Sequence, residues 1–333
     1  MNETIPNDKS IRRVFSRIGF ALCAMLLIAT ACQFLWVNIP SYFLGTENWF
    51  SSSSWGVWIG SFAPLYLIAI PVGVLILRKL PTVKADTQKL TTRQFLTFIP
   101  MCICLMYAGN LVGTVLSLIL SGGQAQNNLL TYAMDTNPIK ILVMVILAPI
   151  LEELVFRKLL IDRTRQYGEK TAVILSAFLF ALFHQNLYQF FYAFALGVIF
   201  GYIYVRTSKL HYSIILHASI NFLGSVIAPW IITKIDMDNL MKLTDATLPK
   251  EEMMEIIQSV LPGYMLLMLY SAILVSMSVW GFVLIIVKSR RTQWQEAQSQ
   301  LQKGTVAKTV YLNVGMILFI VLCSATTIYT LLK

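Results

Sequence analysis

Charged residues are scarce in this chain. They make up 13 % of its 333 residues, whereas soluble domains carry roughly a quarter. Hydrophobic residues account for 57 % of the chain, and the mean hydropathy is +0.68. So few charges argue against a soluble enzyme with a single anchor, and the composition predicts a polytopic membrane protein.

The chain also lacks the sequence patterns of two other classes of protein. Its five cysteines all lie in apolar segments without the paired spacing of a zinc or redox motif, so no disulfide framework is expected. The net charge is +10, but the cations form no basic stripe with interleaved aromatic residues. Nucleic acid is therefore not an expected partner.

Long apolar segments are abundant, and a membrane helix needs about 20 mainly apolar residues. We predict an all-α fold, a polytopic transmembrane helical bundle of about eight to nine spans. Residues 249–261 are expected to form a separate amphipathic helix along the outer interface. The predicted spans are residues 15–38, 55–78, 95–120, 139–160, 171–186, 188–206, 210–232, 263–287 and 308–332.

Lys and Arg are distributed unevenly among the connections between these spans. The connections at 39–54, 121–137 and around residue 187 have none, whereas the alternate connections are rich in them. The exception is 233–262, which has three lysines against six acids. Short loops rich in Lys and Arg stay cytoplasmic. This pattern predicts an integral membrane protein with a cytoplasmic N-terminus.

Two adjacent acids, Glu152 and Glu153, interrupt the fourth apolar segment. An ionisable side chain inside a membrane helix costs several kcal/mol and usually belongs to a functional site. Glu153 and Arg157 are four residues apart, which predicts a structural ion pair on one helix face. Glu152 is rotated by about 100° from Glu153. It therefore needs a partner from another helix.

Histidine is rare as well, with only three in the chain, and His184 and His217 fall inside apolar segments. Asn221 lies one helical turn after His217 and on the same face. A carboxylate beside imidazole supports proton transfer near neutral pH and also zinc binding. A lone histidine in a membrane helix is often only an interhelical hydrogen bond, but the cluster of acids, histidines and amide favours a site.

Three motifs in this region carry a family resemblance. They are Glu152-Glu153-x-x-x-Arg157, Phe180-x-x-x-His184 and His217-x-x-x-Asn221. Together they resemble the CPBP family of intramembrane proteases, which includes the CAAX prenyl endopeptidases and the bacterial Abi or bacteriocin-immunity-type proteins. The resemblance covers roughly residues 138–232, which we expect to be the catalytic core. Hydropathy alone predicts three N-terminal helices before it (1–137), and an outer interfacial helix with the last two spans after it (233–333).

The resemblance implies a role for each motif residue. Glu152 would be the general base that activates water, assisted by His184. His217 and Asn221 would complete the site as oxyanion stabilisers, while Glu153 and Arg157 would be structural. A divalent metal such as zinc, held by Glu152, His184 and His217, and a metal-free glutamate mechanism both remain open.

The resemblance implies an endopeptidase acting on a membrane-associated peptide or protein, lipidated or not. The alternatives are a non-catalytic scaffold or bacteriocin-immunity protein on the same fold, and a transporter with a Glu–His proton relay. The site is expected in a cavity open to the cytoplasm, since Glu152 lies about 8 Å from the Arg157–Lys158 cluster and His217 about 12 Å from Lys209. His184 lies deeper, about 21 Å from Lys170, so residues 162–172 are expected to extend the fifth helix into the cytoplasm.

Overall fold

The computed structural model describes residues 8–83, 87–243, 248–295, 299–302 and 304–332. These residues form helices joined by turns and contain no β-strand. The all-α class predicted from the sequence is therefore confirmed.

Ten helices of seven or more residues build the described part of the chain. They are α1 (Asp8–Leu44), α2 (Ser54–Leu77), α3 (Thr92–Leu120), α4 (Asn128–Met134), α5 (residues 141–164), α6 (Glu169–Phe183), α7 (Leu187–Thr207), α8 (Leu210–Ile232), α9 (Lys250–Ser289) and α10 (Val314–Leu332). Shorter helical turns are Trp49–Ser52, Arg165–Tyr167, Met237–Lys242 and Ala307–Tyr311.

Seven of these helices in the described chain are long and apolar enough to cross a membrane, namely α1, α2, α3, α7, α8, α9 and α10. The protein is therefore an integral membrane protein. The two other predicted spans form α5 and α6. Helix α5 carries the acids and cations of the first motif, and the 15 residues of α6 span only about 22 Å.

Two expected helix boundaries differ from the structure. Residues 250–289 form one helix of 40 residues that contains Pro262, so the expected interfacial helix is the first part of α9. Membrane helices tolerate proline because neighbouring groups satisfy the freed carbonyl. The fifth span does not extend over residues 162–172, because Gly168 at φ 132° turns the chain before α6 begins.

Glycines allow the helices around the acids to approach closely. A Cβ on Gly109 of α3 would lie 2.5 Å from Cα of Tyr192 on α7. One on Gly113 would lie 2.8 Å from the Leu187 carbonyl oxygen. Small residues at such crossings bring helix backbones together, and here they fix α7 against α3.

The connections gather at two ends of the bundle. At the first, the Val83 amide donates to the Asp162 carbonyl at 3.1 Å, and the Gln88 amide donates to the Arg206 carbonyl at 2.7 Å. The Ser299 amide donates to the Gln166 carbonyl at 3.1 Å. We call this the basic end. It comprises the described residues of 78–91, 165–170, 206–209 and 288–312.

The second end joins the connections that lack Lys and Arg. Trp58 Nε1 donates to Asp135 Oδ2 at 2.8 Å, and the Tyr188 hydroxyl donates to the Ala125 carbonyl at 2.9 Å. We call this the opposite end. It comprises residues 45–53, 121–137 and 184–188.

Candidate active site

Helix α5 places the two acids in an irregular stretch of helix. Ala148–Glu153 is α-helical, and π-helical segments precede it at Ile141–Leu147 and follow it at Leu154–Leu159. Local π-helix is frequent at functional sites. The Glu152 side chain keeps 18 % of its surface exposed, whereas that of Glu153 has none. The two neighbours therefore occupy different environments.

Glu153 forms the ion pair with Arg157 that their spacing predicts. Arg157 Nε lies 3.0 Å from Glu153 Oε2, and Nη2 donates to Oε1 at 3.4 Å. Arg157 Nη1 also donates to the Ser176 hydroxyl of α6 at 2.7 Å. The guanidinium lies over the rings of Phe180 and Phe200, 4.9 and 5.8 Å from their centres. This buried cation therefore links α5, α6 and α7.

His217 of α8 lies between the two acids. Its Nδ1 is 3.2 Å from Glu153 Oε1, and its Nε2 is 3.7 Å from Glu152 Oε2. The Phe200 ring stacks on the imidazole, with 5.5 Å between the two ring centres. Glu152 thus obtains from another helix the partner that its own helix does not supply.

His184 follows the last residue of α6, and a backbone bond orients its ring. Its Nδ1 lies 2.8 Å from the Phe180 carbonyl oxygen. Because a carbonyl only accepts, Nδ1 carries the hydrogen in this contact, and neutral His184 keeps an unprotonated Nε2. The structure does not bring His184 into a direct hydrogen bond with Glu152. The two side chains instead line one cavity.

Asn221 ties α8 to α5. Its Nδ2 donates to the Met144 carbonyl at 2.8 Å. A side-chain amide has two N–H donors, so this bond leaves one for another acceptor. Asn221 also lines the cavity.

A cavity of about 790 Å³ contains all four residues predicted as catalytic: Glu152, His184, His217 and Asn221. Glu152 is the one acidic residue in its described wall. The wall reaches Gln126 and Asn128, which are exposed at the opposite end. The sequence predicts a cavity that opens toward the basic end. The described cavity wall instead extends from Glu152 toward the opposite end.

The depth estimate from the Arg157–Lys158 cluster is weakened because only Lys158 of that pair is exposed. Arg157 is fully buried in the pair with Glu153. Glu152 lies 12 residues from both Lys140 and Thr164, or about 18 Å along the helix in each direction. The acid is therefore near the middle of α5, and its depth does not identify the accessible side.

Two site residues, Ser176 and Phe200, are outside the sequence motifs. Ser176 lies eight residues before His184 on α6, so a search along that helix face could have found it. Phe200 is one of many aromatic residues in apolar segments, and no sequence signal separates it from the others. Its role appears only when α7 packs against α8.

The predicted metal ligands do not form a metal centre in this arrangement. Among the residues that the structure describes, no group of three or more His, Cys, Asp or Glu side chains is placed to hold a metal ion. Both ring nitrogens of His217 already face carboxylates. The observed geometry therefore does not fit a three-ligand site built from Glu152, His184 and His217.

Comparison with known proteins finds one match, and it covers the segment that carries the site. Residues 135–223 match the family model described as type II CAAX prenyl endopeptidase Rce1-like. No curated protein and no solved structure matches the chain. The matched segment contains all three motifs, including both acids, His184, His217 and Asn221. This segment, about a quarter of the chain, is therefore similar to the CAAX-type family of intramembrane proteases.

Proposed function

We propose that the protein is an intramembrane endopeptidase that uses Glu152 to activate water. One observation carries the proposal: Glu152 is the one acid in the described cavity wall, and His217 lies 3.7 Å from it. A carboxylate beside imidazole can accept and return a proton in hydrolysis. The substrate is a peptide or protein at the membrane, and its lipidation is left open.

The first step is attack by water on the peptide carbonyl. Glu152 takes one proton from water as the oxygen bonds to the carbonyl carbon. His184 assists because its Nε2 can accept a hydrogen bond from the same water. The product of this step is a tetrahedral oxyanion with Glu152 protonated.

The second step breaks the carbon–nitrogen bond. Glu152 returns its proton to the leaving nitrogen, so the products are a carboxylic acid and an amine. The second N–H of Asn221 and a protonated His217 are suited to stabilise the oxyanion. Removal of one such donor typically slows an enzyme by about a hundredfold or more.

Glu153 and Arg157 support these steps without contacting the substrate. Both are fully buried, and Glu153 holds His217 Nδ1 at 3.2 Å. That contact directs His217 Nε2 toward Glu152. The pair therefore positions the histidine.

The proposal does not require a metal. If zinc or another divalent ion is instead held by Glu152, His184 and His217, chelators will stop cleavage and added metal will restore it. We favour the metal-free route because, among the described residues, no three His, Cys, Asp or Glu side chains are placed to hold a metal ion. We further propose a bacterial plasma membrane location with the N-terminus in the cytoplasm.

The test is a cleavage assay on purified protein in lipid vesicles with a library of quenched fluorescent peptides. Glu152→Gln and His184→Ala are expected to lower kcat/KM by about a hundredfold or more. His211→Ala is the matched control and should keep wild-type activity, because His211 is exposed at the start of α8.

The alternative functions give a different outcome. A scaffold or immunity protein would keep its cellular effect in Glu152→Gln and would cleave none of the peptides. Loss of activity in His211→Ala equal to that in His184→Ala would contradict the site assignment.

A further inference from the structure

The cavity leads from the acids toward the opposite end of the bundle. Its described wall includes Ala125–Leu130 and His184–Gln189, which join helices at that end. None of the described wall residues belongs to the basic end. A substrate that reaches Glu152 along this cavity therefore enters from the opposite end.

The floor of the cavity is closed toward the basic end. Phe156, Phe180 and Phe200 form it, and each has at most 2 % of its surface exposed. Arg157 lies behind two of these rings and is itself fully buried. A path from the basic end to Glu152 would have to displace this packed aromatic layer.

The distribution of charge indicates which side of the membrane each end faces. Cations are concentrated in the connections of the basic end, while residues 45–53 and 121–137 contain none. The α8–α9 connection, which lies on the same side as the opposite end, has Lys234 and Lys242 but balances them with Asp236 and Asp238. Short loops rich in Lys and Arg stay in the cytoplasm. The cavity mouth is then on the non-cytoplasmic side.

The chemistry of the wall indicates what enters. Neutral amides line it, including Gln33, Asn110, Asn127, Gln185, Asn186 and Gln189. A side-chain amide both donates and accepts hydrogen bonds, which suits the N–H and C=O groups of an extended peptide. Those groups need protein partners at membrane depth because lipid supplies none.

The described wall contains no Lys or Arg. A free C-terminal carboxylate bound here would lack a lysine or arginine partner in the described wall, and burying an unpaired charge is costly. An internal peptide segment has no such charge. The wall is therefore better suited to the middle of a chain than to its end.

We propose that the cavity takes an uncharged, internal peptide segment from the non-cytoplasmic side of the membrane. This replaces the cytoplasmic access expected from the sequence, and it rests on the proposed peptidase function. It also gives the depth of His184 a simple explanation. His184 follows the last residue of α6 near the cavity mouth, so a long distance between His184 and Lys170 is expected.

Cysteine labelling tests the side of access without requiring activity. Asn110 lines the cavity, and its neighbour Leu111 is 65 % exposed outside the described cavity wall. Both lie about 15 Å below the end of α3. A charged methanethiosulfonate reagent that cannot cross the bilayer is added to intact cells that make N110C, L111C or wild-type protein.

The expected result is labelling of N110C above the wild-type background and none for L111C. A second pair on α1, Q33C in the wall and F34C outside it, repeats the comparison if N110C fails to accumulate. The same labelling is carried out on inverted membrane vesicles. Labelling of the wall cysteines only in inverted vesicles, or in neither intact cells nor inverted vesicles, would overturn the proposed access.

A peptide assay then separates this inference from the proposed function. Membrane-impermeant peptides with neutral cores are supplied to right-side-out and inverted vesicles, with Glu152→Gln as the inactive control. We expect cleavage in right-side-out vesicles, at equal rates for free and amidated C-termini. Cleavage only in inverted vesicles, or only of free C-termini, overturns the inference and leaves the peptidase proposal standing. Absence of cleavage in both kinds of vesicle counts against the proposed peptidase function. The cysteine labelling still decides the side of access in that case.

Discussion

At the scale of single residues, the site depends on the different environments of two adjacent acids on α5. Glu153 is sealed against Arg157, whereas Glu152 opens into the cavity and meets His217 only through a 3.7 Å contact. A carboxylate fully engaged by a guanidinium is a poor base, because that pairing stabilises its ionised form. The partly exposed acid is therefore the one suited to proton transfer.

The buried pair makes a stability prediction. Glu153→Gln strands the Arg157 cation among apolar rings, and breaking a buried pair in this way typically costs about 3–5 kcal/mol. We expect a large drop in the unfolding temperature of the detergent-solubilised protein. The double variant Glu153→Gln, Arg157→Met removes the stranded charge and should recover part of that loss. Equal unfolding temperatures for the single and double variants would contradict this account.

At the scale of helices, close crossings hold the helices of the candidate site in place. Gly109 lets α3 contact the backbone of α7, which carries Phe200 under the imidazole of His217. The packing of α3 thus reaches the site through α7. Movement of α7 would shift the aromatic floor of the cavity.

Gly109→Ala is predicted to destabilise the protein by about 1–3 kcal/mol, the usual range for overpacking. The new methyl group would meet the Tyr192 backbone, which cannot move without separating the helices. Thermal unfolding in detergent measures the effect. Gly224→Ala is the matched control, since a Cβ there has no atom within 4 Å. A larger loss for Gly224→Ala than for Gly109→Ala would refute this role of the crossing.

At the opposite end, Asp135 joins α2 to the segment before α5. Burial alone would raise the pKa of Asp135. Hydrogen bonds from the Asn137 amide and the Trp58 and Ser54 side chains outweigh that effect and lower the pKa. A carboxyl with a lowered folded-state pKa stabilises the protein above its unfolded value, about 4. The stabilisation is lost as the pH falls through the folded-state pKa.

Asp135→Asn should therefore be less stable than wild type at neutral pH, and the difference should shrink in acid. Thermal unfolding of both proteins between neutral pH and about pH 3 measures this difference, since the unfolded pKa lies near 4. A difference that stays constant or grows in acid would show that the ionised carboxylate does not stabilise this end.

At the scale of the whole molecule, the sequence predicts the all-helical membrane bundle and the positions of its long apolar helices. It also predicts the contact between Glu153 and Arg157, because spacing along one helix determines which side chains meet. Contacts between helices are harder to predict. The position of Phe200 under His217 depends on how α7 and α8 pack, and no local pattern records that packing.

The direction of the cavity is the largest difference between expectation and structure. Depth along the chain is estimated from the Arg157–Lys158 cluster, because charged residues normally mark a membrane surface. Arg157 is instead buried by its partners Glu153 and Ser176 and two aromatic rings. A charged residue that is paired inside the bundle can therefore be mistaken for a marker of the membrane surface. Only the packing of the helices shows that Arg157 is buried.

The most direct test of the central claim, that Glu152 activates water for peptide hydrolysis, is cleavage in oxygen-18 water followed by mass spectrometry of the products. The account predicts one oxygen-18 atom in the newly formed carboxylate from the wild-type protein and almost no product from Glu152→Gln. Unlabelled carboxylate, or equal labelled product from Glu152→Gln, would contradict it.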